Sequence, residues 1–326
     1  MFRDDSAASF YHAYRILECL LRCFPADVYE GLCGDNKATE RVSQMLRYVG
    51  FAPVGELLVM LICLTPVPRM SQLYIASAKN RWMFFEQISQ WILMLKITEV
   101  VVNPEATCFV NHTVDAEQHS GAATQVLQEL IEKLSLEDTG ELLLQPLGYT
   151  TELLDQLVNT TLNVDVSESR RRSAGRLLCF LLRRAAEPEI MCMLATQPGA
   201  PPHPTVVPNR LFPLRERIIV HMETRMGELF ESILSYNSAE RIAAQGQSSP
   251  VGPGPINFSG YTVEQPFGSL RALLVELMTL MVESDENVGN VLPLELWKLL
   301  MTWTFKYAHN NIFHSFFYRL VFAILR

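Results

Sequence analysis

The sequence predicts an all-α fold, an armadillo- or HEAT-like superhelix built from degenerate helical repeats. Apolar residues recur every three to four positions through most of the chain, as on one face of a helix, and no long run alternates as a strand would. Proline and glycine breakers divide these segments into pairs. The chain has 326 residues, which is more than the core of one helical bundle usually holds. At about 40–47 residues for each stacked pair, it accommodates roughly six or seven pairs.

The amino-terminal half contains five predicted helices. Gly50 and Pro53 separate the second from the third, and the proline-containing segment Thr65–Pro68 ends the third. The segment Asn103–Asp115 and the turn Asp138–Gly140 bound the fifth, whose apolar residues fall on a single stripe. The five helix-period segments are Tyr14–Cys23, Thr39–Tyr48, Val54–Leu64, Arg81–Leu95 and Gln125–Leu136.

The carboxy-terminal half contains five more predicted helices and two long breaks. The first break, at about 197–214, holds six prolines, and the second, at about 244–260, is rich in glycine, proline and serine. Because Val206 and Val207 lie among prolines, we expect a loop there and not a central strand. The chain is therefore predicted to form one helical-repeat domain over 1–326 with two loop insertions. The helix-period segments are Leu153–Leu162, Ser173–Arg184, Arg215–Leu234, Leu270–Val282 and Phe313–Ile324.

Composition and charge narrow the function classes. The 27 basic and 35 acidic residues give a net charge of −8, whereas a nucleic-acid-binding face is normally basic. The amino terminus lacks the basic and apolar regions of a signal peptide, and no stretch holds about 20 apolar residues in a row. We therefore expect no nucleic-acid partner and no membrane span. The expected location is the cytoplasm, with the nucleus as a second one.

Residue patterns that carry catalysis are missing from the sequence. It contains no nucleophile elbow, phosphate-binding loop or dinucleotide-binding turn. Cys19 and Cys23 lie one helical turn apart without a second ligand pair, so we expect them to be buried structural residues and not zinc ligands. His309 and His314 are five residues apart and fall on different helix faces. We predict no catalytic residue, no cofactor and no metal, and hence a protein that is not an enzyme.

Two side-chain groups invite a functional interpretation. The arginine run Arg170–Arg172 is either a site for an anionic partner or, as we favour, the solvated start of a helix balanced by nearby carboxylates. The tryptophans and phenylalanines of the carboxy-terminal helices are typical of a packed core, with Phe305 and Phe313 as its expected anchors.

The last third of the chain resembles the SAPS family, phosphatase-associated proteins that are regulatory subunits of protein phosphatase 6. The resemblance is carried by Pro266–Arg271, by Asn287–Asn290, and by a string that runs from Phe305-Lys-Tyr307 through Asn310-Asn311 to His314. Looser matches in the same order lie at Leu46–Leu58, Trp91–Val100 and His119–Ala123. An Ala308-His309 pair stands where the family typically has proline and tryptophan. Family members are also longer, so we expect a divergent short member or a fragment.

The resemblance implies an armadillo-like fold and a non-catalytic role. Its implied partner is a type-6-like Ser/Thr phosphatase catalytic subunit, with further scaffold subunits as additional partners. Asn310, Asn311 and His314 become candidate partner contacts, although we favour backbone hydrogen bonding as the role of the two asparagines. Two alternatives remain open: a helical adaptor for trafficking or nuclear transport, and an enzyme or lipid binder with a pocket between its helices.

Overall fold

Helices dominate the part of the chain that the structure, a computed structural model, describes. The described residues are 10–33, 38–63, 116–136, 144, 151–194, 201, 203–244, 255–257, 262–263 and 266–326. Within these ranges the prediction of a mainly helical protein is confirmed. The superhelical stacking of repeats stays a prediction. The predicted helix Arg81–Leu95 lies outside the described residues, as does the match to the family at Trp91–Val100.

The predicted segments that lie among the described residues fall on helices, several of which extend beyond the predicted bounds, whereas the helices Pro25–Cys33, Glu286–Asn290 and Leu294–Lys306 were not among the predicted segments. In chain order they are α1 Phe10–Cys23, α2 Pro25–Cys33, α3 Ala38–Leu46, α4 Ala52–Cys63, α5 Ala116–Leu134, α6 Glu152–Leu162, α7 Glu168–Ala185, α8 Arg215–Glu223, α9 Met226–Ala244, α10 Ser269–Ser284, α11 Glu286–Asn290, α12 Leu294–Lys306 and α13 Asn311–Ile324. A short 3-10 helix, Phe212–Leu214, precedes α8.

The described residues pack as two compact units, one drawn from Met1–Leu157 with Glu187–Leu214 and the other from Val158–Ala186 with Arg215–Arg326. In the first unit, α4 contacts α1, α3 and α5. Most of α4 is buried, as expected for a helix that is apolar on nearly all sides. The hydroxyl of Tyr29, on α2, donates to the carbonyl oxygen of Leu61 in this core. Because a repeat array also divides into compact units, the single-domain expectation stays a prediction.

The second unit is built around α10. This helix contacts α7, α8, α9, α11 and α13, and α12 packs against α9 and α13. Gly175 lets α7 approach α10 closely, because a Cβ at this position would lie 2.7 Å from Cδ2 of Leu273 and 3.1 Å from Cγ2 of Thr161. Gly268 precedes α10 with a φ of +87°, a backbone conformation that residues with a Cβ rarely adopt.

Two antiparallel hairpins correct the expectation of loops at both long breaks. Strand β1 Glu189–Leu194 pairs with β2 His203–Pro208, and β3 Ile256–Asn257 pairs with β4 Thr262–Val263. The prolines did not prevent β2 from forming because, among the described residues, its sheet has only two strands. The outer edge of each strand needs no ladder donor, and an edge strand therefore tolerates proline.

The predicted helix Arg215–Leu234 is interrupted at Thr224 and Arg225, between α8 and α9. The Thr224 hydroxyl donates 2.8 Å to the carbonyl oxygen of His221, a local hydrogen bond that competes with the helical ladder. The Arg225 guanidinium reaches forward to both carboxylate oxygens of Glu228, at 2.5 and 2.6 Å. The apolar period continues through this break, which is why periodicity alone did not reveal it.

Candidate interaction surface

The arginine run at the start of α7 is only partly a surface feature. Arg171 is 7% exposed. Its Nε donates to the carbonyl oxygen of Thr161, and its Nη2 donates to Oγ of Ser232, both at 3.0 Å. The expectation of a solvated side chain is therefore wrong at Arg171. This guanidinium joins α6, α7 and α9.

The other arginines of α7 lie nearer to solvent and also make intramolecular contacts. Arg170 and Arg172 are half-buried. Arg172 donates 2.9 Å from Nη1 to Oγ of Ser269, the first residue of α10. Further along α7, Arg183 forms a 3.1 Å ion pair with Glu276 of α10. Much of the basic charge on α7 therefore fastens α7 to α10, and Arg170 and Arg172 remain as candidate contacts for an anion.

The predicted backbone role of Asn310 is confirmed. Its Oδ1 accepts a 2.9 Å hydrogen bond from the Phe313 amide and so caps the amino terminus of α13. Asn311 is the first residue of α13 and is exposed. His314 is half-buried, and its Nε2 lies 3.2 Å from the carbonyl oxygen of Thr304, so that the ring joins α13 to α12. Of these candidates, Asn311 is the one whose side chain is open to a partner.

Arg271 is a buried cation to which the sequence alone gave no structural role. It donates 3.0 Å to the hydroxyl of Tyr307 and 3.1 Å to the carbonyl oxygen of Pro266. Its Cζ lies between 5.0 and 5.6 Å from four aromatic ring centroids, an arrangement that favours a cation over each ring face. The four rings belong to Tyr236, Phe267, Trp303 and Tyr307. The signal in the sequence was a lone arginine inside the apolar period of α10.

Of the two phenylalanines expected as core anchors, one is buried and the other is exposed. Phe313 is fully buried, as predicted, and its ring centroid lies 4.6 Å from that of Phe267. Phe305 is 77% exposed, so the prediction of a core anchor is wrong there. Trp303 is buried on the inner side of α12, and Phe305 follows it by two residues, about 200° around the helix.

Phe305 belongs to a stripe of side chains that we call the α12 outer face. It is formed by three apolar residues, Leu294, Met301 and Phe305, and by Lys298. All four side chains are exposed. Glu295 in the first turn and Lys306 in the last turn border the stripe on one side and are exposed as well. The face therefore combines apolar side chains with a separation of charge along the helix.

Two cysteines of the first unit also differ from expectation. Cys19 and Cys23 are exposed on α1, so the prediction of buried cysteines is wrong for both. A hydrogen bond with Cys19 raises the pKa of the Cys23 thiol.

His119 is buried in α5, and neither of its ring nitrogens has a hydrogen-bond partner. Burial lowers the pKa of His119 to about 4, which keeps the ring neutral near pH 7.

Within the described ranges there is neither a group of side chains suited to a metal ion nor a membrane-spanning helix. No three histidine, cysteine or carboxylate side chains there form a group suited to a metal ion. No helix of the same ranges combines the length and the apolar character needed to cross a bilayer. Comparison of the chain with protein-family models, with curated protein sequences and with solved structures finds no match.

Proposed function

We propose that this protein is a non-catalytic regulatory scaffold that binds a type-6-like Ser/Thr phosphatase catalytic subunit and directs its choice of substrate. In this proposal the metal site and the chemistry belong to the partner chain. The scaffold is an armadillo-like superhelix located in the cytoplasm and also in the nucleus. The observation that carries the proposal is that the segments resembling the SAPS family pack against one another in the second unit.

The packing joins segments that are far apart in the sequence. Arg271, from the first of these segments, donates to Tyr307, which lies 36 positions later. Phe267 packs against Tyr307, with ring centroids 5.0 Å apart, and also against Phe313. Asn310 caps the helix that carries Phe313. Residues that meet in this way specify a local fold, and their shared presence supports a common scaffold more strongly than scattered matches would.

The superhelical part of the proposal rests on consecutive packing. Within the first unit, α1 contacts α2, α2 contacts α3, and α3 contacts α4. Within the second unit, α9 contacts α10, α10 contacts α11, and α12 contacts α13, while α10 also packs against the non-adjacent helices α7, α8 and α13. Helix-repeat proteins are built from such sequential contacts, and the rows of helices they form present an extended surface to a partner. An extended surface suits a subunit that holds a substrate beside another chain's active site.

Partner contact is assigned to the exposed residues that lie between the packed ones. Asn311 is exposed, while its neighbour Asn310 is engaged as a helix cap. Arg170, Arg172 and His314 are half-buried, and each retains some access to solvent. We propose Asn311 as the first contact to test, since changing it disturbs no hydrogen bond of the cap.

The test is a pull-down of purified type-6-like catalytic subunit by wild-type protein and a matched pair of variants. Asn311→Arg is expected to weaken capture with an unchanged melting temperature. Asn310→Ala removes the cap and is expected to cost about 1 kcal/mol of stability, while capture at low temperature is retained. Failure of folded wild-type protein to retain the phosphatase would overturn the proposal. Recovery of transport proteins instead, by affinity purification from native cells, would favour the adaptor.

A further inference from the structure

The α12 outer face is an ordered apolar stripe that the second unit leaves uncovered. Leu294 is 62% exposed, Met301 is 45% exposed and Phe305 is the most exposed of the three. Their spacing of seven and then four residues places them in one line along a helix of 13 residues. Such a line of large apolar side chains is typical of a surface that another helix covers.

The inner side of α12 is firmly packed, so the outer face has a fixed orientation. Leu296, Leu299, Leu300 and Trp303 are all buried, and the ring of Trp303 packs edge-on against that of Phe267 at 5.2 Å between centroids. Rotation of α12 to bury Phe305 would expose this inner side. The stripe therefore cannot be covered by its own helix turning over, and only another surface can cover it.

We propose that the α12 outer face binds the same face of a second copy of this chain, with the two helices antiparallel. A two-fold axis at the level of residues 299 and 300 brings Leu294 opposite Phe305 of the second copy, twice. The same register brings Lys298 opposite Met301, where the aliphatic stem of the lysine covers the thioether and its ammonium group reaches solvent. The contact thus has four layers, two of leucine against phenylalanine and two of lysine against methionine.

The charges beside the stripe favour this same register. In antiparallel helix pairs, the border on one side of a stripe meets the same border of the partner helix. Glu295 and Lys306 both lie on one border, at opposite ends of α12. The antiparallel register sets Glu295 of each copy level with residue 304 of the other, two residues from Lys306 and within reach of its long side chain, as charged border positions pair in coiled coils. A parallel pairing would instead bring Lys298 against Lys298.

The contact is small, and the dimer is expected to be reversible. One helix on each side covers less than the roughly 800 Å² per partner of a standard interface. We therefore expect a dissociation constant of the order of 10 µM, typical of small transient contacts. This dimer does not depend on phosphatase binding, so the two proposals fail separately.

The experiment is sedimentation velocity of the full chain over a hundredfold range of protein concentration. Wild-type protein should pass from monomer to dimer. Glu295→Lys and Lys306→Glu should each weaken the dimer at least tenfold, because each places like charges together twice. The double variant Glu295→Lys/Lys306→Glu should recover most of the wild-type affinity. Recovery of this kind requires that the two positions face each other across the interface.

Two substitutions of an exposed phenylalanine by aspartate complete the test. Phe305→Asp should abolish the dimer with little change in melting temperature, since the side chain is already exposed. Phe322→Asp, at an exposed phenylalanine on α13, is the matched control and should leave the dimer unchanged. A monomer at every concentration overturns the proposal. A dimer that survives Phe305→Asp, or a double charge reversal without recovery, overturns it as well.

Discussion

The guanidinium of Arg271 donates a 3.0 Å hydrogen bond to the hydroxyl of Tyr307, while its Cζ lies 5.1 Å from the centroid of the same ring. Tyr307 thus interacts with the guanidinium of Arg271 through both its hydroxyl oxygen and its ring face. Because Arg271 is buried, the hydroxyl substitutes for water that the guanidinium lost on folding. The two interactions can be separated by a single substitution.

Tyr307→Phe removes the hydroxyl and keeps the ring. We expect a loss of about 1.5–3 kcal/mol in the free energy of unfolding, the usual value of a hydrogen bond to a charged group. Urea unfolding followed by circular dichroism measures it. Tyr318→Phe, at an exposed tyrosine of α13, is the control and should change little. Equal stability of the two variants would show that the Tyr307 hydroxyl contributes little to holding Arg271.

Arg171→Glu should destabilise the second unit strongly. The substitution places a carboxylate beside the carbonyl oxygen of Thr161 and leaves Ser232 without its donor. Breaking a buried charged contact typically costs about 3–5 kcal/mol. Lys298→Glu makes the same charge change at an exposed position of α12 and should stay within about 0.5 kcal/mol of wild type in dilute protein. Similar melting temperatures for the two variants would contradict the buried role of Arg171.

Gly175→Ala and Gly227→Ala should shift stability in opposite directions. A Cβ at Gly175 meets Leu273 and Thr161, both buried, and overpacking of this kind costs about 1–3 kcal/mol. A Cβ at Gly227, near the start of α9, meets nothing within 4 Å. Alanine should stabilise that helix by up to about 1 kcal/mol. Thermal unfolding distinguishes them, and a stabilised Gly175→Ala protein would show that α7 and α10 are less closely packed than described.

His119 should make stability fall in mild acid. Its pKa is about 4 in the folded protein and about 6.5 in an unfolded chain. The unfolded state therefore binds the proton first as the pH drops. Stability should be fully present above about pH 6.5 and decline down to about pH 4, by at most roughly 3 kcal/mol. His119→Leu should show a shallower decline in urea unfolding over this interval. Parallel curves for the two proteins would exclude His119 as the cause.

The apolar period predicts where most of the described helices lie, but it does not always predict which of their side chains are buried. Leu270–Val282 and Phe313–Ile324 were placed on helices because one face of each is continuously apolar, and both lie within α10 and α13. The same argument failed for Phe305, because α12 has apolar residues on both faces and a period does not say which face is inside. The prediction that Cys19 and Cys23 are buried fails for a similar reason, since α1 buries the side of the helix that carries Leu21.

The interior polar contacts could not be predicted from the sequence. Arg171 lies in a run of three arginines that is typical of a solvated helix start, and its burial depends on Ser232, 61 residues later. Arg271 is buried because rings from three other segments surround it. Asn310 was predictable, in contrast, because its hydrogen bond to Phe313 is local. Long-range partners decide where charges lie, and periodicity contains no information about them.

The central position of α10 has a consequence for hydrogen exchange. Helices α7, α8, α9, α11 and α13 cover it, so its amide hydrogens cannot reach water through fraying of one neighbour. Their exchange requires opening of the whole unit, and its rate in deuterated buffer therefore reports the unit's full unfolding free energy. Amides of α1, whose outer side is exposed at Ile16 and Leu20, should exchange through smaller local openings.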